Sequence, residues 1–299
     1  MSSPMSSPFH LLRLPRLVLC EVFKSLSIGE KMKLSFCSKK ISIQIYNARL
    51  YSQKVIVDLD WPGHKIEVYS ENYRDSFEIP VYPNFWKRHN SNTQQFSIAC
   101  CAFLSAIEHL LKMFQCKFST HIRLNNSDLY RPAISMLFDL QVEFKRISIR
   151  HNGSENENLL FNQISSNFRL VEYVSIYSVY DHSFRPVFTS WPQNITIWSS
   201  DWFTLEYLLA CTCSRITLWN SLLGNKDTDV ILKNWKAGGF SNLEYLCIES
   251  QNITNSGELI LGMNLRELDG KAIQTDDGLK KATIKTYPES IEISVTPFE

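Results

Sequence analysis

The sequence predicts an α/β protein in which a small all-helical module precedes a larger body of alternating strands and helices. Three observations carry this expectation. Amphipathic helical patterns fill the first fifty residues and then cease. Short β-branched and aromatic runs begin near residue 55, and from residue 120 such runs recur at steps of 21 to 29 residues, with helical patterns between several of them. At 299 residues the chain exceeds an ordinary single domain, so a module plus a body, or an elongated array, is the natural organisation. The boundaries read from these changes are 9–54 for the module, 55–119 for a hairpin and helix that start the body, and 120–299 for the repeating region.

Residues 14–26 form the first element, with Pro15 at the first helical position and apolar residues at 18, 19, 22, 23 and 26 on one face. Ser27-Ile28-Gly29-Glu30 fits a capping box, in which the Ser side chain takes a free backbone N–H and the Glu reaches back, so a second helix starts there. It carries Met32, Leu34, Phe36 and Cys37, and a third runs from about Ser38 with Ile41 and Ile45 on one side. Three short helices bury little apolar surface alone, which predicts that some of these side chains serve an interface.

These residues resemble the F-box. Leu14-Pro15, Val18-Leu19, Val22-Phe23 and Leu26, followed by Leu34-Ser35-Phe36-Cys37-Ser38-Lys39-Lys40, match its Leu-Pro start, paired aliphatics and Leu-Ser-x-Cys-Ser-like third element. The sequence departs from the pattern at Leu17, where an acidic residue is common, and at Lys40-Ile41, where a Trp is common. The resemblance implies that Leu14, Pro15, Val18, Leu19, Val22, Phe23, Leu26 and Leu34 include the face that enters a Skp-type adaptor, and through it a cullin-RING ligase. A helix offering spaced apolar anchors to a groove is a recurrent recognition mode.

In the body, Val55–Leu59 and Lys65–Tyr69 around Pro62-Gly63 predict a hairpin, 83–95 a polar loop, and 96–114 a helix. Strands are then expected at 121–124, 146–149, 173–176, 195–198, 215–219, 243–248, 265–268 and 291–293, and helices at 130–140, 202–211 and 228–237. Gly238-Gly239 reads as a helix stop and Asp276-Asp277-Gly278 as a solvated turn. Parallel strands need crossovers, so this spacing predicts an irregular leucine-rich-repeat-like α/β solenoid with a mainly parallel sheet, the alternative being an open α/β sheet. Trp219 and Trp235 each continue an apolar pattern and are expected in the core.

A second resemblance lies here. Ile216–Ser221, Asp227, Leu232–Gly239 and Asn242–Leu246 are similar to the type 2 F-box-associated region of the large nematode F-box families, which follows an F-box as it does here. The resemblance implies a substrate-holding role without assigning one to any residue.

The net charge of +1 gives no long-range reason to expect nucleic acid or an anionic membrane, although residues 1–54 hold nine Lys and Arg against two Glu. The apolar run Leu11–Val22 is interrupted by Arg13, Pro15, Arg16 and Glu21, unlike a secretory signal, and no run of 18 apolar residues occurs. An intracellular location, cytoplasm or nucleus, is therefore expected. There the eight cysteines stay reduced and the sequons at Asn125, Asn152, Asn194 and Asn252 go unglycosylated. Cys100-Cys101 and Cys211-Thr212-Cys213 lack a second pair at zinc spacing, so neither metal nor cofactor is expected. The seven His are scattered, and no phosphate loop or nucleophile elbow is present. The expected function is non-enzymatic: a substrate-recognition subunit of an SCF-type ubiquitin ligase with an unknown substrate protein, or else an interaction scaffold unconnected to ubiquitination.

Overall fold

The computed structural model describes residues 11–48, 53–60, 65–80, 104–123, 134–151, 155–178 and 186–297, which fall into two compact units, Met1–Ser119 and Thr120–Glu299. The expected Pro62-Gly63 turn, the polar loop at 83–95, the first part of the helix at 96–114 and Cys100-Cys101 lie outside the described residues.

Unit 1 opens with three helices, α1 (Arg16–Ser25), α2 (Ile28–Cys37) and α3 (Lys39–Asn47). Pro15 stands one position earlier than the sequence suggests, as the N-cap, and its carbonyl accepts from Leu19 N–H at 3.0 Å. The capping box forms as its sequence dictates: Glu30 N–H donates to the Ser27 hydroxyl at 3.2 Å, and Ser27 N–H donates to the Glu30 carboxylate at 2.8 Å. Strands β1 (Lys54–Asp60), β2 (Lys65–Ser70) and β3 (Ser76–Pro80) make an antiparallel meander, the third strand being one that the sequence did not reveal. Helix α4 spans 104–113 and leads into β4 (Gln115–Arg123), which lies beside β1. The described residues between 55 and 119 thus fall in the same unit as the N-terminal helices.

Unit 2 contains α5 (134–139), β5 (Phe144–His151), α6 (Glu155–Ser165), β6 (Val171–Ser178), β7 (Asn194–Ile197), α7 (Leu205–Ala210), β8 (Arg215–Leu218), α8 (Asn225–Lys236), β9 (Tyr245–Glu249), α9 (Leu265–Leu268), β10 (Ala272–Gln274), β11 (Lys280–Tyr287) and β12 (Ser290–Pro297). From β5 onward the strand order is β10-β11-β12-β9-β8-β7-β6-β5, and β5 to β9 are parallel neighbours in chain order. Their register aligns Ile147, Val174, Ile195, Ile216 and Leu246 in one row and Ile149, Ile176, Ile197, Leu218 and Ile248 in a second, all buried. Residues Phe161, Leu208, Leu232 and Trp235 of the intervening helices are likewise buried, giving a second layer.

The crossovers differ. Between β8 and β9, α8 supplies an amphipathic helix that ends at Lys236 and is followed after Ala237 by Gly238, whose φ of 91° suits a glycine and whose N–H donates to Trp235 O, so the expected helix stop is observed. Between β6 and β7 the described chain has no helix. Phe188 and Trp191 stack there at 4.4 Å, with Phe161, Phe168 and Phe203 edge-on or tilted around them. Aromatic bulk thus does the covering that a helix does elsewhere.

The run of parallel strands ends at β9, and the strands beyond it do not continue the expected solenoid. Residues 265–268, read as a strand, are the short helix α9, because Asn264 and Glu267 form a capping box with both hydrogen bonds at 3.0 Å. Strands β10 and β11 were not anticipated, and β10, β11 and β12 pair antiparallel with one another and with β9. Only Pro288 and Glu289 separate β11 from β12, too few for the crossover a parallel pair requires. The Asp276-Asp277-Gly278 turn closes β10 onto β11, with Asp277 accepting from Thr275 Oγ1 at 2.6 Å and from Leu279 N–H at 3.0 Å.

The described cysteines 20, 37, 116, 211, 213 and 247 are free. Burial pushes the thiols of Cys116 and Cys247 up to about 12 and about 11, which keeps them protonated and inert.

The alternation of the sheet predicts unequal costs at adjacent positions. Ile216→Ala should lower unfolding free energy by roughly 2–5 kcal/mol, the range for emptying a packed aliphatic site. Thr217→Ala, one residue on, should cost about 0.5 kcal/mol or less. Chemical denaturation of the two variants checks this; equal costs would contradict the facing of β8.

Candidate functional site

Two surfaces stand out, one in each unit. In unit 1, α1 turns Leu19 and Phe23 into the interior, while Pro15, Leu17 and Val18 remain at the surface, with Leu17 83% exposed. Leu14, Val22, Leu26 and Leu34 are half-buried, and Phe36, Ile43 and Tyr46 add further exposed apolar area from α2 and α3. A module with only Leu19, Phe23, Ile28, Met32 and Ile45 as its dry core leaves the remaining large side chains wet, as its size requires.

The strands and helix that follow hold α2 from behind. Ile28 N–H donates to the Asp75 carboxylate at 2.7 Å, and a Cβ on Gly29 would lie 3.0 Å from Phe77, so the helix meets β3 closely at that point. Lys31, one of the nine basic residues of the head, is buried and donates to Gln53 Oε1 at 2.9 Å; burial lowers its pKa. On α4, His109 lies 2.8 Å from Ser35 Oγ and stacks on Phe36 at 4.8 Å. Burial, with Lys112 beside it, holds the His109 imidazole below its ordinary pKa.

In unit 2, period-two alternation sends every second residue of β5–β9 to the face opposite the aliphatic rows. One row there is Arg146, Tyr173, Asn194, Arg215 and Tyr245, and a second is Ser148, Ser175, Thr196, Thr217 and Cys247. Beyond them Arg150 opposes Tyr177, and Tyr177, Trp198 and Trp219 form a stack with ring centroids 5.5 and 5.7 Å apart and nearly parallel planes. The Trp198 indole N–H donates to Ser175 Oγ at 3.1 Å and the Tyr173 hydroxyl to Thr196 Oγ1 at 2.8 Å, fixing both rings over the small residues of the middle row. Arg146 lies over Tyr173 and Arg215 over Tyr245, each 4.9 Å from the ring centroid. Trp198 is 42% exposed despite its size.

Comparison with known families assigns two segments of the chain. A model described as F-box domain matches residues 11–53, and one described as F-box associated matches residues 183–248. The chain carries an F-box and a type 2 F-box-associated region. No curated protein and no solved structure matched. The F-box match spans α1–α3, and the F-box-associated match runs through β7, β8 and α8 into β9, so it includes Trp198, Arg215 and Trp219 of the open face.

The eight residues expected at the F-box docking face do not share one environment. Leu19 and Phe23 are enclosed in the unit, Pro15 and Val18 are exposed, and Leu17, outside the expected set, is more exposed than any of them. On the F-box-associated side, Trp235 is buried as expected, but Trp219 is not core: Ile216 and Leu218 face inward, so Thr217 and Trp219 must face out. The same alternation, Ile-Thr-Leu-Trp, was present in the sequence as the available signal. Among the described residues no group of three or more His, Cys, Asp or Glu is arranged to hold a metal ion, and no helix is long and apolar enough to cross a membrane.

The contact of α2 with α4 predicts an acid sensitivity. His109 binds its proton less readily folded than unfolded, so the unfolded chain takes up a proton as pH falls through the ordinary imidazole value of about 6.5, and stability is lost in that direction. Denaturation at a series of pH values should show unit 1 weakening from neutral toward acid. The His109→Gln variant should lose that part of the slope, and an unchanged slope would contradict the assignment.

Proposed function

We propose that the chain is the substrate-recognition subunit of an SCF-type ubiquitin ligase, its F-box seated on a Skp-type adaptor and its F-box-associated region holding a substrate protein. The observation that carries this reading is the order of the two regions, F-box at 11–53 and F-box-associated at 183–248. Exposed apolar residues on α1 support it, since Leu17, Val18 and Pro15 have no described core to join. The docking face is Leu14, Pro15, Leu17, Val18 and Val22, with Leu26 and Leu34 at its margin. Leu19 and Phe23 act from behind it by fixing the helix.

The work of such a subunit is proximity. Holding adaptor and substrate on one chain turns ubiquitin transfer into an effectively intramolecular event, with effective concentrations on the order of mM and no chemistry in this chain. The block β5–β9 acts as a short leucine-rich-repeat-like array whose open face is the substrate platform. Tyr, Trp and Arg, the residues most enriched in binding hot spots, are concentrated there.

Leu14→Ala with Pro15→Ala should weaken adaptor binding by about 100-fold or more, taking roughly 2 kcal/mol per anchor and near-additive losses. Lys39→Ala with Lys40→Ala, two exposed charges, should change affinity little beyond its salt dependence. Isothermal titration with purified adaptor measures both. Parent-like binding by the folded Leu14 and Pro15 variant would refute the docking face.

A further inference from the structure

On β5–β8 the charge of the open face has one sign; its carboxylates lie at the far edge, Glu249 on β9 and Glu292 opposite Cys247 on β12. The open-face positions of β5–β8, taken with Trp198 and Trp219 that continue β7 and β8, include Arg146, Arg150 and Arg215 and no carboxylate. The chain as a whole is nearly neutral, so this is a local segregation rather than a consequence of composition. Neither Arg146 nor Arg150 has a carboxylate partner among the described residues. Arg215 has only Glu244 at 3.9 Å, an exposed pair that contributes little.

We infer that this face takes an extended acidic segment of a partner protein, lying across the strands with its carboxylates on Arg146, Arg150 and Arg215 and its apolar side chains against Tyr177, Trp198 and Trp219. The inference rests on the reading of this face as the substrate platform and names the class of substrate segment.

Four features favour that occupant. The cations are all arginine, whose planar fork matches a carboxylate in two hydrogen bonds and whose weaker hydration lowers the cost of burial in an interface. Two of them, Arg146 and Arg215, are already oriented on tyrosine rings, so less freedom is lost on binding. The aromatic groups are fixed in advance, Trp198 by Ser175 and Tyr173 by Thr196. The span also fits: the four strands β5–β8, spaced about 4.8 Å apart, cover roughly 14 Å, the reach of about four extended residues. A nucleic-acid strand is disfavoured by the same stack, because rings 5.5 and 5.7 Å apart leave no gap for a base to enter between them.

The test is fluorescence anisotropy of the full chain with labelled short peptides of equal length in which Glu, Gln or Lys alternates with Leu, and with an oligouridine. The Glu peptide should bind at least tenfold more tightly than the Gln peptide, with the Lys peptide and oligouridine weaker still. The doubly reversed variant Arg146→Glu with Arg150→Glu should lose at least tenfold for the Glu peptide and gain for the Lys peptide, with an unchanged circular dichroism spectrum. Equal binding of the three peptides, retention of Glu-peptide binding by the reversed variant, or tighter binding of oligouridine would each overturn the inference. Adaptor co-purification, measured on the same proteins, separates the two readings. Adaptor binding without peptide selectivity refutes the acidic segment alone, and loss of the adaptor from the parent chain refutes the ligase subunit while the anisotropy result stands.

Discussion

Two rows of aliphatic side chains, in register across five parallel strands, are the constraint from which the rest of unit 2 follows. Because Ile147, Val174, Ile195, Ile216 and Leu246 must share one dry layer, and their partners two residues on must share it too, every residue between them is turned away from the core. The open face is what this leaves over. The spacing between successive rows also sets what the crossovers must do, which is to return the chain to the same edge while covering the aliphatic layer. That requirement is met by helix α8 in one place and by the Phe188 and Trp191 cluster in another. Parallel sheets are ordinarily covered on both faces. Here the second face is polar and aromatic, with internal hydrogen bonds that hold Trp198 and Tyr173 in place.

Unit 1 obeys a different constraint, that of too little core. Three helices of about ten residues each cannot enclose their own apolar side chains, and α2 therefore leans on β3, where Asp75 takes the Ile28 N–H, and on α4, where His109 meets Ser35 and Phe36. With α2 supported in this way, α1 is attached through Leu19 and Phe23 and keeps its other apolar face outward.

Much of this was legible in the sequence, and the parts that were not have physical reasons. The capping box at Ser27, the helix stop at Gly238 and the five parallel strands are local signals, carried by a few adjacent residues with one reading. Which residues of the expected apolar face of α1 turn outward was not legible, since Val18 and Phe23 share that face and only the position of the later helices distinguishes them. Residues 265–268 read as a strand because Leu-Arg-Glu-Leu alternates, yet Asn264 and Glu267 favour a capped turn of helix, and the shorter-range interaction prevails. Trp219 continues an apolar pattern and so reads as core, whereas strand alternation decides its face. The charge segregation was invisible for a similar reason: Arg146, Arg150 and Arg215 are far apart in sequence and meet only through the strand register.

The proposed adaptor face lies in unit 1 and the proposed substrate face in unit 2, and hydrogen exchange of the full chain with and without a Skp-type adaptor tests that division most directly. The account predicts slowed exchange of amides in residues 14–26 on adaptor binding, with the amides of residues 194–219 unchanged. Slowed exchange at 194–219, or no change at 14–26 in a chain that binds the adaptor, would contradict it.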